Sequence, residues 1–166
     1  MNREPFKVGI LTVSDKGSQG LRTDEGGPRI RILLPADVYE VQVMAVVPDE
    51  IPRIVETLVD WADQRKLDLI FTTGGTGLSP RDLTPEATER VLEREIPGMA
   101  EAMRREGLKH TPLAQLSRAK AGVRGETLII NLPGGLKAIE EMLPAVLPAI
   151  PHALEKIKGD MGDCGR

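Results

Sequence analysis

One cysteine, Cys164, in a chain of 166 residues leaves no partner for an internal disulfide and no basis for a site of several thiolates. It lies in a Gly/Asp-rich terminal stretch, fits a reducing compartment and is assigned no role. Aromatic side chains make up only 2% of the chain, which removes the stacking platforms that single-stranded nucleic acid needs. An excess of positive charge is missing too. There are 22 Lys and Arg against 25 Asp and Glu, a net charge of −3, and the basic residues are scattered. No general attraction to nucleic acid or to an anionic membrane is expected, so any polyanion has to be met by a local site. No apolar run approaches the ~20 residues of a membrane span. Nothing near Met1 has the charged and then apolar character of an export signal, so a cytosolic location is expected. The two histidines, His110 in a loop and His152 in the terminal helical region, read as surface or packing residues.

What is present is aliphatic and glycine-rich: 40% hydrophobic residues with 17 glycines and 13 prolines. The length suits one α/β domain with its own core, expected over residues 1–159 with a flexible tail at 160–166. Phe6 to Val13 is an almost unbroken apolar run, as in a central strand buried on both faces. Lys16 to Gly27 reads as loop, with Asp24 at the entrance of a helix opened by Pro28. Val38 to Val47 is a second strand, and Ile51, Ile54, Val55, Leu58 and Ala62 recur at helical spacing after it. A third strand covers Leu67 to Phe71, and Thr84-Pro85-Glu86 reads as an N-cap followed by proline, starting a helix to about Glu95. A helix follows from Pro97 to near Gly107. Gln115 to Gly122 is expected to pair with Glu126 to Asn131 as an antiparallel hairpin, and a final helical region from Leu136 should be broken by Pro144, Pro148 and Pro151. The sum is a three-layer αβα sandwich on a mostly parallel sheet with an antiparallel hairpin or edge strand.

The third strand breaks into Thr72-Thr73-Gly74-Gly75-Thr76-Gly77-Leu78-Ser79-Pro80-Arg81-Asp82. Three glycines in four positions let backbone approach a ligand. Successive amides there can form an anion-binding concavity, to which the hydroxyls of Thr72, Thr73, Thr76 and Ser79 add donors. The same string also suits a plain strand-to-helix turn, and it lacks the lysine of a P-loop. Asp49, directly after the second strand, likewise fits either a helix N-cap or a functional carboxylate. What favours a site is that Ser14-Asp15, Asp49, the glycine loop with Asp82, and Asn131 to Gly134 each follow a strand. In open parallel sheets ligands bind at those carboxyl ends. Asp49 and Asp82 beside a phosphate cradle suit Mg²⁺ held on phosphate oxygens, hence phosphoryl or nucleotidyl transfer without a His or Cys nucleophile. Arg118 and Arg81 are candidates for a phosphate fork.

Taken together, Val47-Pro48-Asp49-Glu50, Thr73-Gly74-Gly75-Thr76-Gly77 with Asp82, Thr84-Pro85-Glu86-Ala87-Thr88, Glu95-Ile96-Pro97-Gly98-Met99, Leu116-Ser117-Arg118 and Leu128 to Gly134 resemble the molybdenum-cofactor biosynthesis family, which includes molybdopterin adenylyltransferases and the gephyrin G domain. The resemblance runs from about Val8 to Gly159. It implies Mg²⁺-dependent transfer of AMP from ATP to the terminal phosphate of molybdopterin, with release of pyrophosphate. It further implies that Asp49 and Asp82 are the essential, metal-holding carboxylates. Thr73, Gly74, Gly75, Thr76, Gly77 and Ser79 would cradle phosphate, and Ser14, Asp24, Ser117, Arg118, Asn131, Pro133 and Gly134 would line the pocket. A homotrimer and hand-over of product to a molybdenum insertase are implied as well. The sequence departs from the family pattern at Gly135-Leu136-Lys137, where Ser or Asn is often seen. A non-catalytic molybdopterin-binding or trimeric scaffold domain is the alternative, against which the presence of both Asp49 and Asp82 weighs.

Overall fold

The protein is represented by a computed structural model that describes residues 4–160 and 162. Cys164 and most of the expected tail lie outside them. Six strands form one sheet: β1 (Phe6–Val13), β2 (Tyr39–Val47), β3 (Leu69–Thr73), β4 (Arg94–Glu95), β5 (Ala121–Arg124) and β6 (Thr127–Leu132), in the order β2-β1-β3-β6-β5-β4. The first four in that order run parallel, whereas β5 is antiparallel to β6 and β4 to β5. Val13 is opposite Val47, Thr12 opposite Thr73, and Thr73 opposite Leu132, so the carboxyl ends of all four parallel strands come level.

The helices are α1 (Asp15–Ser18), α2 (Gly26–Leu33), α3 (Ile51–Val59), α4 (Thr84–Val91), α5 (Pro97–Leu108), α6 (Leu136–Val146) and α7 (Ile150–Ile157). Because successive side chains of a strand point to opposite faces, β1 feeds two cores at once. Val8 and Ile10 enter a layer with Ile30 of α2, Met103 of α5, Ile139 and Leu143 of α6 and Leu154 of α7. Leu11 and Val13 enter the opposite layer with Ile54 and Leu58 of α3 and Ala87 and Val91 of α4. This is the expected αβα sandwich with an antiparallel edge. Gly9 belongs to the second face for a steric reason: a Cβ there would sit 2.6 Å from Cε3 of Trp61, so its absence makes room for the indole.

Several boundaries differ from the sequence expectation. The hairpin forms, but its strand starts at Ala121, and Pro112–Leu116 is a 3-10 turn. The helix expected to reach Glu95 ends at Val91, because Arg94–Glu95 is drawn into the sheet as β4 by Gly122 and Val123, a long-range pairing with no local signal. Lys16 to Gly27 is not all loop, since Ser14 accepts a hydrogen bond from the Gly17 amide at 3.0 Å and caps the short α1. Pro144 does not break α6, which continues to Val146. The carbonyl it leaves without an amide partner belongs to Glu140, and both residues are exposed, so water can serve it. Pro151 opens α7 rather than interrupting it.

Candidate active site

Gly74 and Gly75 have φ of +93° and +68°, and a Cβ would lie 2.4 Å from the Val13 carbonyl oxygen at the first and 2.3 Å from Thr84 Oγ1 at the second. Only glycine fits either place. In the loop they begin, the four carbonyls from Gly74 to Gly77 are all engaged. Gly74 O accepts from Thr84 Oγ1 (2.9 Å), Gly75 O from Thr84 N (3.1 Å), Thr76 O from Arg118 N (2.9 Å) and Gly77 O from Arg118 Nε (2.8 Å). By contrast, the N–H groups of Gly75, Thr76 and Gly77 have no acceptor among the described residues. Free backbone donors in series are what an anion-binding concavity requires.

Two carboxylates border this loop. Asp49 Oδ1 is 3.2 Å from where a Cβ of Gly75 would be, and Asp82 Oδ2 is 2.8 Å from that of Gly77. The capping account of Asp49 is overturned: its helix, α3, has no side-chain cap. Asp49 Oδ2 instead accepts from Asp15 N at 2.8 Å, while Asp15 Oδ1 accepts from Asp49 N at 2.9 Å. This reciprocal pair locks the end of β1 to the end of β2. Arg81 completes it with a two-pronged bond to Asp15, Nε to Oδ2 at 2.9 Å and a terminal nitrogen to Oδ1 at 2.8 Å, so in this structure its fork holds a carboxylate. Burial pushes the Asp49 carboxyl above the ordinary carboxylate range and the charges of Asp15 and Asp82 push the same way, against the Asp15 amide bond and the charge of Arg81. The hydrogen bond from Arg81 holds Asp15 below that range. Asp82 Oδ2 accepts from Ser79 N (2.9 Å) and Asp82 N donates to Ser79 O (2.8 Å), closing the turn that ends the loop.

Beside the loop opens a cleft of about 520 Å³, walled by Ser14, Asp24, Thr73, Gly74, Gly134 and the start of α6, among others. Asp24 is fixed at the entrance of α2 as expected, accepting from Gly27 N at 3.2 Å and from Thr12 Oγ1 at 2.9 Å. Thr73 Oγ1 donates to Pro133 O at 2.7 Å, tying the two glycine-rich loops together. A larger hollow of about 960 Å³ lies at the opposite, amino-terminal end of β1, among the mixed charges of Lys7, Asp68, Glu126 and Lys158, and shares no residue with this cleft.

The remaining expected residues act from behind. Asn131 does not line the cleft: it is fully buried, Nδ2 donating to Thr72 Oγ1 and Thr88 Oγ1 at 2.9 Å each, and Oδ1 accepting from Lys120 N at 3.1 Å. Its amide has no group left for a ligand. Arg118 is bound to Gly77 O, to Asp82 O (2.6 Å) and to Glu86 Oε1, so its guanidinium is not presented as a phosphate fork. Ser117 Oγ accepts from Ala119 N at 3.3 Å. Thr84 is not the N-cap, which is Leu83 without any side-chain bond; the Thr84 hydroxyl reaches back to the loop. Asp15 stands in the Ser14-Asp15 cluster that the strand-end pattern marks, but its bonds to Asp49 and Arg81 have no local signal, and neither do the loop contacts of Thr84 and the Arg118 contact of Glu86.

The family model described as "Probable molybdopterin binding domain" matches residues 9–152. A molybdopterin adenylyltransferase of Helicobacter pylori is 43% identical over 163 residues, covering 95% of this chain and 90% of its own length. Gephyrin of Dictyostelium discoideum is 46% identical over 91% of this chain, which spans only 22% of gephyrin's length. A crystal structure of the molybdopterin biosynthesis enzyme MoaB from Thermus thermophilus superimposes with a TM-score of 0.88 at 57% identity, over 93% of this chain and 98% of that one. With the glycine loop, the two carboxylates and the cleft all falling inside the matched segment, the chain belongs to the molybdopterin-binding domain family of molybdenum-cofactor biosynthesis.

Proposed function

We propose that this protein is a molybdopterin adenylyltransferase, acting in the cytosol as a single domain over residues 1–159. An oxygen of the molybdopterin terminal phosphate attacks the α-phosphorus of ATP, the bond from that phosphorus to the bridging oxygen breaks, and pyrophosphate leaves. The observation that carries the reading is the glycine loop, whose carbonyls from Gly74 to Gly77 are all engaged and whose Gly75, Thr76 and Gly77 amides have no acceptor among the described residues, set between Asp49 and Asp82. Negative charge develops on the transferring and leaving phosphates, and preoriented backbone donors stabilise it without reorganisation. The cleft walled by Ser14, Asp24, Thr73, Gly74 and Gly134 has the size and polarity for the second substrate.

The residues present fit a magnesium ion held mainly by phosphate. Asp49 and Asp82 each have one oxygen fixed by a backbone amide, and the other accepts no hydrogen bond from a described residue. No group of three or more His, Cys, Asp or Glu side chains that could hold a metal occurs among the described residues, so two protein oxygens would be completed by ligand oxygens. When bound there, Mg²⁺ would neutralise phosphate charge. Asp49 and Asp82 would hold it, with the Asp15 amide keeping Asp49 in place.

Assembly into a homotrimer is part of the proposal, supported by large apolar side chains left on the surface, among them Leu78 at 65% and Leu113 at 68% exposure. The adenylylated product would then pass to a molybdenum insertase. No helix among the described residues is long and apolar enough to cross a membrane.

The test is to supply purified protein with molybdopterin, ATP and Mg²⁺. The expected outcome is adenylylated molybdopterin with stoichiometric pyrophosphate, abolished by a chelator. Binding of molybdopterin with no pyrophosphate released would leave the scaffold reading in its place.

A further inference from the structure

The peptide group is planar and trans, so the carbonyl of one residue and the N–H of the next point in opposite directions. No cis bond occurs among the described residues, so this rule holds throughout the glycine loop. Fixing the carbonyls of Gly74, Gly75, Thr76 and Gly77 therefore fixes the amides of Gly75, Thr76, Gly77 and Leu78 the other way. All four carbonyls are held by just two residues, Thr84 and Arg118.

Resting on the adenylyltransferase reading, we infer that Thr84, Arg118 and Glu86 are positioning residues that turn the loop's carbonyls inward so that its amides face the polyphosphate of ATP. The Thr84 side chain is fully buried, so it serves the loop without meeting the ligand. Arg118 reaches Gly77 O and Asp82 O with separate guanidinium nitrogens, which spaces the loop's last glycine from the carboxylate that follows it. A cation on these carbonyls also polarises the peptide groups and strengthens their N–H donors. Glu86 Oε1 takes another nitrogen and balances the charge, so the arginine does not itself draw phosphate out of register. The cost is visible: Glu86 Oε2 is buried without a hydrogen-bond partner among the described residues. Arg118 is in turn braced by Arg104 of α5, whose guanidinium donates to the carbonyls on either side, Ser117 O at 3.3 Å and Ala119 O at 3.1 Å. None of these side chains needs to touch substrate.

Calorimetric binding of inorganic pyrophosphate, read beside melting temperature and steady-state kinetics, tests this. Thr84→Val should weaken pyrophosphate binding by about tenfold, the scale of one lost hydrogen bond of this kind, and raise the KM for ATP, while Thr84→Ser restores both. Glu86→Gln should weaken binding although it removes a negative charge. Arg118→Lys should bind as poorly as Arg118→Gln, because an ammonium cannot span Gly77 O, Asp82 O and Glu86 together. Recovery of binding by Arg118→Lys, or tighter binding by Glu86→Gln, would make Arg118 a direct phosphate ligand and overturn the inference. Unchanged affinity in a folded Thr84→Val variant would overturn it too, as would a wild-type protein that binds no pyrophosphate. Wild-type protein that binds pyrophosphate but transfers no AMP would instead overturn the functional reading and leave the positioning role in place.

Discussion

Asp49 makes a hydrogen bond that holds two strand ends together and carries a charge that the fold disfavours, and these two roles can be separated. Asn at this position keeps an oxygen for the Asp15 amide but loses the anion. Asp49→Asn is therefore expected to melt at or above the wild-type temperature with adenylyl transfer largely lost. The sign follows from the raised carboxyl: the folded chain holds its proton to a higher pH than the unfolded chain does, so Asp49 favours folding less as pH rises from its unfolded value through its folded one. The melting advantage of Asp49→Asn should grow across that window and level off above it, which melts from acid to neutral pH would show. A falling or flat difference would contradict it. Asp82 has a turn to close as well, so Asp82→Asn rather than Asp82→Ala isolates its charge. If both acids act on one ion, the two Asn substitutions combined should depress turnover little more than either alone. Turnover falling by the full product of the two single effects would separate them.

At the level of elements, the glycines divide by what surrounds them. Gly125 has φ +54° in the β5–β6 turn with nothing within 4 Å of a would-be Cβ, so Gly125→Ala should cost about 1 kcal/mol with activity intact. Gly74→Ala adds a collision with a backbone oxygen to the same kind of strain and should lose both stability and transfer. Asn131→Ala, which unpairs two hydroxyls and the Lys120 amide in the interior, should destabilise by roughly 1–3 kcal/mol, measurable by denaturant titration. The long elements were legible because they obey local rules. Phe6 to Val13 is apolar throughout, and the Ile51 to Ala62 stripe has helical spacing. The glycine loop was legible for the same reason, its composition being its conformation. What was hidden is tertiary. Thr84-Pro85-Glu86 carries every local mark of a cap, yet the Thr84 hydroxyl serves a loop ten residues upstream. Asp49 pairs with Asp15 across 34 residues, and β4 exists only because β5 lies beside it. Arg118 shows the limit from the other side: it reads as a phosphate fork and does lie against the glycine loop, but its partners there are the loop's own carbonyls.

For the whole molecule, one sheet carries both apolar layers, and the carboxyl ends of its four parallel strands deliver Ser14, Asp49, the glycine loop and Pro133-Gly134 to one rim. If the exposed leucines are buried between copies, light scattering at micromolar concentration should return three times the chain mass, and a monomeric mass would refute the assembly. A different consequence follows from the Gly9 notch. Trp61 is the chain's one tryptophan, 2% exposed and seated on the α3 side of the sheet, away from the rim. Its emission should be blue-shifted and barely quenched by iodide. Gly9→Ala, by crowding the ring at a cost of roughly 1–3 kcal/mol, should alter that spectrum before it alters turnover. The indole is thus a built-in optical probe of one hydrophobic layer. Any change in its brightness when nucleotide binds would have to travel there through the sheet.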